Sequence, residues 1–289
     1  MLRQPIFAAA LGCARAAALA VATTMFLTAT GGPAWAQGAQ HDAQDPREPV
    51  DLELVFAVDV SRSMDFDEQL LQREGYAEAL TDPAVLQAIR SGAHQRIAVA
   101  YLEWGGPWAH RVVLDWMMIE TLADAQEASD WLRAFPIEPS SGTSISAGLE
   151  RAAAMIEENR FDGARKVIDI SGDGPNNTGD PVHEVRDRLV EAGYEINGLP
   201  LLLKRPAGFF NIPDLDIYYE DCVIGGPSAF VLPVQDRAQI RSAIRLKMVM
   251  EISGAIPPAR TARLRNAALP DCLIGERLRR EWLDIRGRD

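Results

Sequence analysis

Leu52-Glu53-Leu54-Val55-Phe56-Ala57-Val58-Asp59-Val60-Ser61-Arg62-Ser63 decides the fold. Its first seven residues form an apolar run, as expected of a strand buried on both faces, which is typical of parallel sheets. The run stops at Asp59, and oxygen-bearing side chains then occupy alternate positions 59, 61 and 63. On an extended segment that turns, all three can aim into one hollow at the strand end.

Further strands are expected at Arg96 to Glu103, Arg111 to Met118, Lys166 to Ile170, Glu195 to Leu202 and Ala229 to Val234. Helical stretches fall between them at Asp67 to Leu80, Ala123 to Phe135, Ser144 to Asn159, Val182 to Ala192 and Arg237 to Ser253. This alternation predicts an α/β domain with a doubly wound, mostly parallel sheet. Only Trp104-Gly105-Gly106-Pro107-Trp108 separates the second and third strands. That is too little chain for a helical crossover, so the pair is expected to be an antiparallel hairpin at the sheet edge. Lys204 to Ser228, rich in Pro, Gly and aromatics, interrupts the alternation and reads as a functional or family-specific inserted loop.

Residues 1–36 carry Arg3 and Arg15, no acid, an apolar run from Ala16 to Thr30, and Ala34-Trp35-Ala36. They read as a signal peptide cleaved after Ala36, which places the protein in the periplasm or outside the cell with no membrane insertion after cleavage. A transmembrane anchor is the rival reading, but Arg15 splits the apolar stretch, and a span needs roughly 20 residues. The domain plan is signal 1–36, flexible leader 37–49, α/β domain 50–256, and a C-terminal extension 257–289 with a helix at Leu273 to Trp282 packed back on the domain.

Losing residues 1–36 removes two Arg and no acid, so the net charge moves from −12 to −14. Nucleic acid and anionic membrane are poor partners for such a surface. Of the three cysteines, Cys222 and Cys272 remain after cleavage, and in an oxidising compartment they are expected to form a disulfide; two buried thiols are the alternative.

In a parallel sheet the loops leaving the C-terminal strand ends share one edge, where ligands bind. Asp173, in Ile170-Ser171-Gly172-Asp173-Gly174, can therefore meet Asp59, Ser61 and Ser63 there, and Thr143 arrives from the loop before the helix at Ser144. All five are hard oxygen donors that suit a divalent cation, Mg first, with Mn or Ca as alternatives. With only two carboxylates they leave coordination open for a carboxylate from outside. The same side chains could instead cap helices and shape turns.

The set Asp59-x-Ser61-x-Ser63, Thr143 and Asp173 resembles the metal-ion-dependent adhesion site of the von Willebrand factor type A family, and the similarity runs from about Asp51 to Ser253. It implies an exported, non-enzymatic protein-interaction module that binds a Glu or Asp of a protein partner through the cation. Two departures stand out: Gly172-Asp173-Gly174 where the family commonly has Thr-Asp-Gly, and the Lys204 to Ser228 insertion. If the hairpin lies as that family implies, Trp104 and Trp108 stand on the metal-bearing edge beside Phe209 and Phe210, and these four are candidate partner contacts.

Phosphatases of the haloacid dehalogenase type offer a rival resemblance, through an Asp after the first strand, Gly172-Asp173-Gly174 and a Lys at 166. Their chemistry needs a carboxylic acid two residues after the nucleophile, where this chain has Ser61. His41, His94, His110 and His183 are scattered, and no glycine-rich phosphate loop follows the first strand.

Overall fold

The computed structural model describes residues 47–203, 210–255 and 271–287. Residues 1–36, read above as a signal peptide, most of the expected leader, Phe209 and the start of the expected C-terminal extension lie outside the described residues. Along the chain run β1 (Glu48–Val50), β2 (Glu53–Asp59), α1 (Phe66–Leu80), α2 (Pro83–Arg90), β3 (Ile97–Trp104), β4 (His110–Ile119) and α3 (Leu122–Ala134). There follow α4 (Ile145–Glu158), β5 (Phe161–Gly163), β6 (Lys166–Gly172), α5 (Val182–Glu191), β7 (Glu195–Pro200), α6 (Leu215–Tyr218), α7 (Ile240–Ser253) and α8 (Ile274–Arg286).

The main sheet has the order β4-β3-β2-β6-β7. All pairs are parallel except β3 with β4, the expected edge hairpin. Because strand side chains alternate, β2 sends Leu54, Phe56 and Val58 into one core, which includes residues of α1, α2, α3 and α7. It sends Val55 and Ala57 into the other, which includes residues of α4 and α5. The fold is von Willebrand factor A-like.

Four local expectations need correction. Glu48 and Pro49, expected in the flexible leader, form with Val50 a strand paired in parallel with β5. Helix α2 was not expected, although Asp82 caps it through Ala84 N at 2.8 Å and Pro83 opens it. Ala229 to Val234 follows β7 only through isolated bridges at Val231 and Val234. Pro200 of β7 has no N–H to give to Leu232 O, so the ladder breaks between the two bridges. The segment taken as an inserted loop contains α6 and a π-helical turn, Tyr219–Val223, whose Tyr219, Cys222 and Val223 are buried with Tyr218 in the second core.

Buried charge also ties the elements together. Lys247 of α7 pairs with Asp169 of β6 at 2.7 Å and with Glu251 one turn on, all essentially without solvent exposure. Arg73 of α1 donates to Glu103 of β3 and, at 2.7 Å, to the carbonyl of Leu132 near the end of α3. Glu103 also accepts from Arg111 of β4 at 2.7 Å.

Candidate metal centre

At the C-terminal end of β2, Asp59 lies in register with Trp104 of β3. The loop before α4 is drawn onto this edge by backbone bonds: Arg62 N–H to Ser140 O at 2.8 Å, Ser140 N–H to Val60 O at 2.8 Å, and Ser144 N–H to Gly105 O at 2.7 Å. Gly105 and Gly106 are required here, because a Cβ at either would strike Ser140 or Ser141 within 2.6 Å. Asn177, after β6, donates its N–H to Thr143 O at 2.9 Å and accepts from Thr143 N at 3.2 Å. Three loops, the first and last more than 100 residues apart, thereby meet at one edge.

The side chains at their junction form a chain of hydrogen bonds. Ser61 N–H donates to Asp59 Oδ1 at 2.6 Å, the hydroxyls of Ser61 and Ser63 lie 2.6 Å apart, and Ser63 Oγ donates to Asp173 Oδ1 at 2.5 Å. Asp59, Ser61 and Thr143 are buried, Asp173 is half-buried and Ser63 is exposed, so the chain rises from the sheet edge to the surface. Asp59 Oδ2 is buried without a hydrogen-bond partner among the described residues. Burial, and then the charge of Asp173, push the Asp59 carboxyl up to about 8, against the opposing pull of Ser61 and of the Asp173 backbone N–H. Two carboxylates crowded in this way, with hydroxyls between them, are a donor set that fits a hard divalent cation.

Helix capping is carried by other residues. Asp65 is the N-cap of α1, its N–H bonded to Glu68 Oε2 at 3.0 Å. Ser144 caps α4 through Ala147 N at 3.3 Å. Among the described residues no three His, Cys, Asp or Glu side chains gather as a metal cluster, and the edge set has two carboxylates with hydroxyls.

The aromatic candidates separate. Trp104 is 0 % exposed and belongs to the second core, so it is not a surface contact: as the register partner of Asp59 it points into the α4 side, over Gly148. Trp108, two residues past the glycines, is 96 % exposed. Phe210 packs against Trp282 of α8, ring centres 6.1 Å apart. Phe66, at the first turn of α1 just past the serines, is exposed as well; its place directly after the capping Asp65 was the available signal. Lys166 starts β6, at the end of the strand away from Asp173, and pairs with Glu157 at 2.8 Å, so it is not part of the site.

Cys222 and Cys272 form a disulfide with Cα atoms 5.5 Å apart. Beyond it, Glu276 of α8 accepts from Asn176 Nδ2 at 2.7 Å, so the C-terminal helix meets the loop that follows Asp173. No helix among the described residues is long and apolar enough to cross a membrane.

A von Willebrand factor A-like α/β domain is thus the class that the fold defines. Residues 49–256, more than half of the chain, match the family described as "Protein of unknown function (DUF1194)", and the chain belongs to that family. No curated protein matches the sequence. Among solved structures, the pilus adhesin SpaC of Lactobacillus rhamnosus GG is similar over 72% of this chain and 31% of its own, at 12% identity and a TM-score of 0.55. This chain thus spans about a third of that adhesin's length. A von Willebrand factor type A protein from Catenulispora acidiphila is similar at 15% identity and a TM-score of 0.48, over 70% of this chain and 43% of its own. The vWF domain of the type V pili tip protein Mfa5 from Porphyromonas gingivalis has 12% identity and a TM-score of 0.47, over 73% of this chain and 98% of its own.

Proposed function

We propose that this protein is an exported, non-enzymatic interaction module. A divalent cation, Mg first, held by Asp59, Ser61, Ser63, Thr143 and Asp173, accepts a Glu or Asp carboxylate from a protein partner in the periplasm or outside the cell. The observation that carries this reading is the continuous chain from Asp59 through Ser61 and Ser63 to Asp173, with Asp59 Oδ2 left buried and unpartnered. Helix caps supplied by Asp65 and Ser144 support it further, since they leave Ser61, Ser63 and Thr143 for another duty. Five protein donors leave a six-coordinate cation with an open position, which a carboxylate from outside can fill. Trp108, exposed on the turn of the edge hairpin, adds a contact that such a partner would cover.

The test is calorimetric titration of Mg and Mn into chelator-treated protein, with Asp173→Ala as control, followed by capture of partner proteins with and without chelator. Binding that is lost in Asp173→Ala, together with cation-dependent capture, supports the module. Absence of cation binding by the wild type removes it and leaves the five residues as loop structure.

A further inference from the structure

A second buried oxygen without a partner lies beside the candidate metal centre. Tyr219 Oη, in the π-helical turn, has no hydrogen-bond partner among the described residues, and neither has Asp59 Oδ2. A methyl group built on Gly172 would lie 2.8 Å from Tyr219 Oη and 3.0 Å from Asp59 Oδ2, so the two oxygens border the same position, too tight for a methyl. A Cβ on Gly198 of the neighbouring strand would strike the same ring at 2.8 Å. Gly198 pairs with Ile170, two residues before Gly172. Two glycines on adjacent strands thus open a slot for the Tyr219 ring, and the slot leads to Asp59.

Packing alone does not account for the hydroxyl. A phenylalanine would fill the same slot, whereas a phenol buried with no partner costs about 1–3 kcal/mol. The neighbouring residue acts on the other half of the site: Tyr218 Oη accepts from Asn176 N at 3.2 Å, three residues after Asp173. Consecutive tyrosines of one segment therefore reach the two carboxylate-bearing loops, Tyr218 by a hydrogen bond and Tyr219 by lying beside Asp59.

We infer that Tyr219 is a positioning residue of the metal centre: its hydroxyl, which borders Asp59 Oδ2 across Gly172 without bonding to it in this structure, is the donor that turns to that oxygen and orients it when a divalent cation binds. A neutral phenol is a donor at physiological pH, and partners that orient a metal's ligands commonly contribute 10- to 100-fold in metal affinity. The inference rests on the cation reading proposed above and assigns a role to the segment that interrupts the strand-helix alternation.

The test titrates MnCl₂ into chelator-treated wild type, Tyr219→Phe and Asp173→Ala, and records the thermal midpoint of each in chelator. The expected pattern is binding by wild type, none by Asp173→Ala, and affinity about tenfold weaker in Tyr219→Phe, whose midpoint in chelator is unchanged or raised. A role in packing alone would leave the affinity unmoved, so affinity within twofold of wild type overturns the inference while leaving the cation reading intact. Wild type that fails to bind overturns both. Should Tyr219→Phe not fold, Gly172→Ala probes the same space: its methyl displaces the hydroxyl, and unchanged affinity in that variant overturns the inference equally.

Discussion

Ser63 Oγ donates to Asp173 Oδ1 at 2.5 Å, joining loops that stand 110 residues apart. Because Ser63 also meets Ser61, whose N–H holds Asp59, the two carboxylates share one hydrogen-bonded chain. In the absence of a cation the chain joins two groups that repel one another. Removing one carboxylate should therefore separate stability from binding. Asp59→Ala is expected to melt in chelator within a few degrees of wild type, because a buried carboxylate is lost along with one acceptor for Ser61 N–H. Wild type should gain about 2.7 kcal/mol from Mg at a hundred times its Kd, and Asp59→Ala nothing. Thermal unfolding with and without Mg reads both, and global unfolding of the variant at room temperature would instead make Asp59 structural.

The ion cluster under α7 gives a pH dependence. Lys247 faces Asp169 and Glu251, two carboxylates against one ammonium, and burial followed by the Asp169 charge raises the Glu251 carboxyl from 4.5 to about 8. Between those values the folded protein holds more protons than the unfolded chain, so stability falls as pH climbs from about 5 to about 8. Asp59, raised over a similar range, contributes a slope of the same sign, so Glu251→Gln should reduce the dependence without abolishing it. Urea midpoints measured in chelator across this window check it, and an unchanged slope in the variant would assign the dependence to other groups. Lys247→Ala leaves the carboxylates uncompensated and should cost about 3–5 kcal/mol.

Trp104 and Trp108 bracket the same turn and should behave oppositely. Trp104→Ala empties a fully buried site over Gly148 and is expected to cost about 3–5 kcal/mol. Trp108→Ala, at 96 % exposure, should change stability by no more than about 0.5 kcal/mol. Its effect belongs to cation-dependent capture of the partner, which should weaken. Equal capture by wild type and Trp108→Ala would remove the turn from the contact surface.

What could be read from the chain was whatever has a local signature. The apolar run of β2, the short Trp104 to Trp108 connection and the alternate oxygens at 59, 61 and 63 each announce themselves within a dozen residues, and the antiparallel edge hairpin follows from them. The pairing of β1 with β5 has no such signature, since each strand is three residues long and they lie about 110 residues apart. The segment from 215 to 223 did carry one. Leu215, Tyr218, Tyr219, Cys222 and Val223 are all buried and fall at helical spacing, but flanking Pro and Gly made the stretch look like a loop. Gly172, in the place where the resembling family commonly has Thr, is intelligible only in three dimensions, because the space above it borders the Tyr219 hydroxyl.

The Cys222–Cys272 disulfide should act on both stability and the site. It closes a separation of 50 residues, which on a loop-entropy basis corresponds to about 4 kcal/mol. Cys222 lies three residues after Tyr219 in the same π-helical turn, and Cys272 directly precedes α8, whose Glu276 accepts from Asn176. The cross-link therefore clamps the tyrosine segment and the C-terminal helix around the loop that carries Asp173. Cys222→Ala/Cys272→Ala should lower the urea midpoint and also weaken cation binding, with reduction of the wild type reproducing both effects. If stability falls while cation affinity holds, the core contacts of Tyr218, Tyr219 and Val223 are sufficient to seat the segment without the covalent clamp.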